Sequence, residues 1–402
     1  MKEKRSALFS RYILDGVQQD RTPMQMLEGS LSLNADRGSI PEKPEAEPAP
    51  IADETVDPSL SPLGLDESCA ARYLDEIRSA PPRQWPHAFS AQFTKALVAR
   101  TLIDAIWRKG EFTLPDLVLK AEWKWRSEPI GNMASFYASV QAACEYVDTL
   151  GTGFESYGFK ESRGGSSLTL KVGTTESRPS DFEDDDSFIA EAPTTPEEGL
   201  PDPMSETAES GTHPRIMRSR KCPDTAVPDR SSWIIYIPFE SCDYRLGGSL
   251  FSSATGISGE IAPEMDDPDY FLDCYEVVRE LIEDGIVIAG RTVADGGLLC
   301  ALDSFLGNGP GMDCDLSDIG RASGEQSLCH ILFSEVPGVL VQINDNDYDY
   351  LDAELLLQDV AYYTLGHPDR DRRGADVHMK GRPLIAGILE ALLRSDTSEG
   401  ED

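Results

Sequence analysis

Three short stretches of this 402-residue chain place residues where they could do chemistry. Asp295-Gly296-Gly297 stands between a strand-like run, Ile286 to Ala289, and an apolar helical run from Leu298 to Leu306. Two glycines there would let backbone approach a ligand at a helix N-terminus, where unpaired N–H groups and the macrodipole favour an anion. The same residues would also make a tight strand-to-helix turn with Asp295 as its cap. Asp345, Asp347, Asp349 and Asp352 imitate a calcium loop, but Tyr350 stands where the turn glycine belongs and Leu356 where a bidentate glutamate is needed. They read as helix-start acids. His367 lies close to Asp369 and Asp371 with no nucleophile at a readable spacing, and reads as a surface histidine. The eight cysteines include no CxxC pair and none of the five histidines stands at metal-ligand spacing from one. That suits reduced thiols and gives no zinc signature.

The elements that must position these residues follow from periodicity. Ser232 to Pro238 (SWIIYIP) is a β-branched and aromatic run typical of a buried strand. The helix after it has Asp267 as cap, Pro268 at its first position, an apolar face of Phe271, Leu272, Tyr275, Val278, Leu281 and Ile282, and Gly285 as left-handed stop. Upstream, residues 63–175 read as a small, mostly helical domain. Phe93, Leu97, Leu102, Ile103 and Ile106 recur at helical spacing, Leu117 to Trp125 follows a Pro break, and a last helix runs from Met133 to Val147. Phe154 to Phe159 and Ser167 to Val172 read as a hairpin turning at Arg163-Gly164-Gly165.

Two stretches, 37–62 and 176–230, are rich in Pro and acid and read as disordered linkers, the second carrying a basic tract, RIMRSRK, at 215–221. The expected organisation is an N-terminal arm and linker (1–62), the helical domain with its hairpin (63–175), an acidic linker (176–230), an α+β domain (231–380) and a closing amphipathic helix with an acidic tail (381–402). The balance of 36 Lys+Arg against 71 Asp+Glu, a formal charge of −35, opposes nucleic acid and anionic membranes as partners. No run approaches the ~20 apolar residues of a membrane span, and the start MKEKRSALFSRYILDG lacks a signal-peptide core. A cytoplasmic location is expected.

Taken in order, Arg245-Leu246-Gly247-Gly248-Ser249, the MDDPDYF helix start, VADGGLLCAL (293–302), LFSEVPGVLVQI (332–343) and TLG (364–366) resemble the C-terminal domain shared by phosphoribosylformylglycinamidine synthase, aminoimidazole ribotide (AIR) synthetase and related ATP-using enzymes. The resemblance covers about 135 residues, one third of the chain. It implies an α+β domain with a mixed sheet covered by helices, docked against a separate half that binds ATP and magnesium, with substrate between them. Carried over, Gly247, Gly248 and Ser249 would contact substrate, Asp295, Gly296 and Gly297 would line the same cleft, and Ser334 and Glu335 occupy the matching LFSE positions. Glu335 has a second reading, as a cap or brace at the sheet end.

Upstream of Trp233 there is no aspartate-rich magnesium and nucleotide motif, and no glutaminase domain. Catalytic residues are therefore unassigned, no metal site is expected, and ATP and magnesium enter only if a partner supplies the missing half. The first expectation is an accessory or degenerate relative that binds a partner or a phosphorylated small molecule. One alternative is a component of a purine-biosynthetic synthase completed by another chain. A second is a structural interaction protein. A homo-oligomer or protein partner is expected to cover the faces that a missing half would leave exposed.

Overall fold

The computed structural model describes residues 6–174 and 222–379, apart from 37, 39, 59, 61–63, 110–112 and 258–259. The acidic stretch to residue 221 and the closing helix expected at 381–402 lie outside the described residues. The N-terminal stretch folds β1 (Tyr12–Leu14), β2 (Val17–Gln18), α1 (Pro23–Gly29) and β3 (Ile51–Asp53). The central β1 pairs antiparallel with β2 and parallel with β3. The expected 37–62 linker therefore contributes a strand, anchored by the buried Ile51.

Next come α2 (Ala70–Ser79), α3 (Ser90–Lys109), β4 (Leu117–Trp125), α4 (Asn132–Thr149), β5 (Gly153–Glu161) and β6 (Ser167–Thr174). The long helices match their periodicity, but Leu117 to Trp125 is a strand within the segment read as mostly helical. Its alternation of buried and exposed positions is the period of a sheet with one wet face. The expected hairpin is also corrected. β4 lies between β5 and β6, pairing parallel with the first and antiparallel with the second, so the two runs do not pair with each other. Leu119, Ala121, Trp123 and Trp125 then face the core as one row.

The C-terminal part contains β7 (Ser232–Pro238), α5 (Leu250–Thr255), α6 (Pro268–Glu283), β8 (Val287–Val293), α7 (Gly297–Leu306), β9 (Gly311–Asp315), α8 (Ser317–Ser323), α9 (Leu328–Phe333), β10 (Gly338–Asn344), α10 (Tyr348–Leu357), β11 (Tyr363–Gly366) and β12 (Gly374–His378). Its main sheet has the order β11-β7-β10-β8. Every pairing in it is antiparallel, which corrects the expected mixed sheet; β9 and β12 form a separate parallel pair. Both faces are covered. Ile235, Ile237, Val339 and Val341 join one core with α3, α4 and α6, while Ile234, Tyr236 and Leu340 join another with α7 and α9. A strand buried on both sides needs apolar residues at every position, hence the unbroken SWIIYIP run.

The boundary expected between 63–175 and 231–380 runs through shared core. The described residues up to 174 and from 222 onward group as one compact unit. α3 packs on β8, with the Trp107 ring where a Cβ on Gly290 would sit, 2.2 Å away. Trp107 Nε1 donates to Thr292 Oγ1 at 2.8 Å, and the same hydroxyl donates to Asp104 at 2.5 Å. Asp345 and Asp347 lie in the turn leading into α10 and Asp349 in its first turn, as helix-start acids, whereas Asp352 lies within the helix and accepts from the Tyr362 hydroxyl. His367 is not a free surface histidine: its ring lies 3.7 Å from that of Trp233, and Nδ1 is 2.8 Å from the Ser232 carbonyl oxygen.

Candidate functional site

Gly247, Gly248, Ser249, Asp295, Gly296, Gly297, Ser334 and Glu335 come from three loops that meet at one end of the antiparallel sheet. Each glycine is required by its surroundings. A Cβ on Gly247 would stand 2.4 Å from the Ile261 carbonyl, and one on Gly297, whose φ is +72°, would stand 2.6 Å from the Ser334 oxygen. Ser249 caps α5, accepting from the Ser252 N–H at 3.2 Å while donating to the Leu246 carbonyl at 2.6 Å. Ser334 Oγ accepts from the Arg245 N–H at 3.2 Å. These two hydroxyls hold loops rather than face open space.

Glu335 is the hub. Its Oε1 accepts from the backbone N–H groups of both Leu250 and Gly296, each at 2.8 Å, so one carboxylate serves the first turns of α5 and α7. Its Oε2 meets the Arg83 guanidinium at 2.5 Å. Arg83 comes from the connection between α2 and α3, also donates to the Gly248 carbonyl at 3.1 Å, and lies 4.3 Å over the Phe93 ring. Its other terminal nitrogen pairs with Asp295 at 2.5 Å, and Arg100 of α3 pairs with the same carboxylate oxygen. The cap reading of Asp295 is corrected: the capping residue of α7 is Gly296, and Asp295 bridges two arginines.

Burial decides the electrostatics. The side chains of Arg83, Arg100 and Glu335 are 7%, 6% and 8% exposed, whereas Asp295 is 55% exposed. Burial alone would raise the Asp295 carboxyl, but Arg100 and Arg83 outweigh it and hold it below the usual aspartate range. Burial works against the Arg83 charge in the same way, and Glu335 and Asp295 more than restore it. Beside the network, Phe89, Phe93, Met265 and Gly247 to Ser249 line a small, mostly apolar cleft of about 20 Å³.

The sequence reading missed Arg83 and Arg100. A signal existed for Arg100, which falls among the apolar positions of α3 between Ala96 and Ile103, where an arginine must find a buried partner. Arg83 sits in an irregular PPRQW stretch with no periodicity to mark it.

The architecture defines an α/β protein with the fold of the AIR-synthase-related class. Thermotoga maritima PurL complexed with FGAR superposes with a TM-score of 0.51 at 11% identity, covering 77% of this chain and 42% of that one. Such coverage exceeds the third of the chain that carries the sequence resemblance, so the shared fold extends into the N-terminal side. The chain is a distant homologue of phosphoribosylformylglycinamidine synthase. It is 30% identical over 155 residues to the probable chloroplastic/mitochondrial synthase of Arabidopsis thaliana, a match covering 36% of this chain and 11% of that protein. Against the Drosophila melanogaster synthase it is 25% identical over 288 residues, 69% of this chain and 19% of the relative. The chain thus spans at most about a fifth of the length of these curated relatives. No family model matches it. Among the described residues no helix is long and apolar enough to cross a membrane.

Proposed function

We propose that this chain is an accessory member of the phosphoribosylformylglycinamidine synthase-related group, which keeps the fold, braces the cleft with its own charges and works by binding a partner rather than by ATP-dependent turnover. One observation carries the reading: the Glu335 carboxylate accepts from the N–H of Gly296, the cap residue of α7, and from that of Leu250 at the start of α5, beside the place where a phosphorylated ligand would be held, and is itself neutralised by Arg83. A phosphate entering there would have to displace a buried carboxylate from its donors, and stranding a buried charge costs about 3–5 kcal/mol. Asp295 likewise engages both arginines that could otherwise receive the anion. Leu356 and Leu357, 74% and 78% exposed at the end of α10, offer apolar surface for a partner.

The test is thermal stabilisation of the full chain by ATP with magnesium, formylglycinamide ribotide and aminoimidazole ribotide, singly and together. A ligand at a hundred times its dissociation constant adds ~2.7 kcal/mol, a shift well within reach of measurement. The expected result is no shift with any of them. The Asp295→Ala chain, with Arg83 and Arg100 unmasked, is expected to gain stabilisation by phosphate that the parent lacks. A ribotide shift in the parent, abolished by Arg100→Met, would overturn the reading in favour of a retained substrate cleft.

A further inference from the structure

α10 is apolar on two sides. Leu351 and Leu355 are buried in the core, while Leu356 and Leu357 are 74% and 78% exposed and Tyr350 is 43% exposed. Tyr350, Ala353 and Leu357 follow one another at helical spacing, so they form one outward stripe with Leu356 at its edge. A helix that is apolar all round belongs between two layers. Among the described residues only the inner layer is present.

α6 runs beside α10 in the opposite direction. Tyr350, at the start of α10, donates to Asp284 at the end of α6 at 3.1 Å; past the end of α10, the Ala361 N–H donates at 3.1 Å to the hydroxyl of Tyr270 in the first turn of α6. α6 turns a row of carboxylates outward. Asp269, Asp273, Glu276, Glu280 and Asp284 recur every third or fourth residue, and all but the half-buried Glu276 are exposed. Glu354 of α10 stands beside the stripe as well, close enough to act on Tyr350 together with Asp284 and Glu280. The two helices carry one cation between them, Arg279, and it is already held by Glu276, Glu280 and Glu283.

We propose that the α6–α10 pair is a docking surface for a basic amphipathic helix of a partner protein. Its apolar residues would cover the stripe from Tyr350 to Leu357 while its lysines or arginines face the α6 row. Such a seam is apolar along its centre and charged at its flank, as where helices pack side by side. The leucines make the surface and the carboxylates choose its occupant. A second copy of this chain would bring acid row against acid row, and the same charges repel nucleic acid and anionic membranes. The inference rests on the partner-binding reading above and names the partner's chemistry and the place it binds.

The experiment is fluorescence anisotropy of a labelled lysine–leucine peptide of about 15 residues, leucines on one helical face, titrated with the full chain at about 0.15 M salt. One comparison peptide carries glutamate for lysine; another has the same composition with its leucines scattered around the helix. Saturable binding of the first peptide alone is the expected result. The double variant Leu356→Ser/Leu357→Ser should weaken it about tenfold or more. Glu354→Gln with Asp359→Asn should weaken it a few-fold and flatten its salt dependence, while Leu33→Ser, at another fully exposed leucine, leaves it unchanged. Unchanged thermal midpoints show the variants folded. Equal binding of the scattered peptide, preference for the acidic one, unaltered affinity in the double leucine variant, an equal loss in Leu33→Ser, or no saturable binding would each overturn the proposal. So would self-association of the parent chain that the double leucine variant abolishes. The ribotide shifts described above test the partner-binding reading separately, so failure of peptide binding with no ribotide shift removes this surface alone.

Discussion

Glu335 and Glu240 are both buried glutamates near the same end of the sheet, yet their surroundings oppose one another. Glu335 accepts two backbone N–H groups and an arginine, so replacing it by Gln leaves Arg83 facing an amide and removes the charge that both helix starts use. The expected cost is about 3 kcal/mol, read from the urea midpoint at constant slope. Glu240 makes the stability depend on pH. With its carboxyl raised in the folded state, the protonated form is favoured by folding, so its contribution is fully present below the ordinary glutamate range and is lost as pH rises to about 7. That loss is about 3 kcal/mol at most, and Glu240→Gln should flatten the stability profile across this window. Asp295, lowered by its arginines, contributes at neutral pH and loses that contribution as the medium turns acid. Denaturant titrations should therefore show the Glu240→Gln difference between the ordinary glutamate range and about pH 7, and the Asp295→Ala difference changing in the opposite direction only below the ordinary aspartate range.

At the scale of elements, the start of α4 is held from far away in sequence. Asp53 at the end of β3 accepts from the N–H groups of Gly131, Met133 and Ala134 at 2.8, 2.8 and 3.0 Å. Asp53→Ala should cost about 1–2 kcal/mol and speed amide exchange in the first turn of α4 before anywhere else. This contact also shows what the sequence conceals. Local marks such as Asp267, Pro268 and Gly285 can be read directly, since cap, first turn and stop are neighbours along the chain. The alternation of Leu119, Ala121, Trp123 and Trp125 was legible as well, but its neighbouring helices drew it into a helical reading. Which strand lies beside which was not legible: β4 enters between β5 and β6 through a parallel pairing that no short turn records. The candidate site divides along the same line. Its glycines and acids stand in recognisable short motifs, whereas the arginines that engage them arrive from about 200 residues away, Arg83 to Asp295 being 212 positions apart.

For the whole molecule, the shared core predicts cooperative unfolding. Tyr146 of α4 packs against Phe271 of α6 with ring centroids 6.2 Å apart, and Trp107 of α3 covers Gly290 of β8. Fluorescence from Trp123 and Trp125 on one side and Trp233 on the other, isolated by Trp→Phe variants, should report one coincident urea transition. Separate midpoints would show that the two sides fold independently. Gly290→Ala, which drives a methyl into the Trp107 ring, should lower that common midpoint for both reporters.

The uneven exposure of the four-membered charge network has a consequence for ionic strength. In 1 M salt the Debye length is about 3 Å, and ions reach the half-exposed Asp295 far more readily than the enclosed Glu335. Rising salt should therefore loosen the hold of Asp295 on Arg83 and Arg100 while the Arg83–Glu335 pair stays shut, so that the network gives way from its solvent side inward.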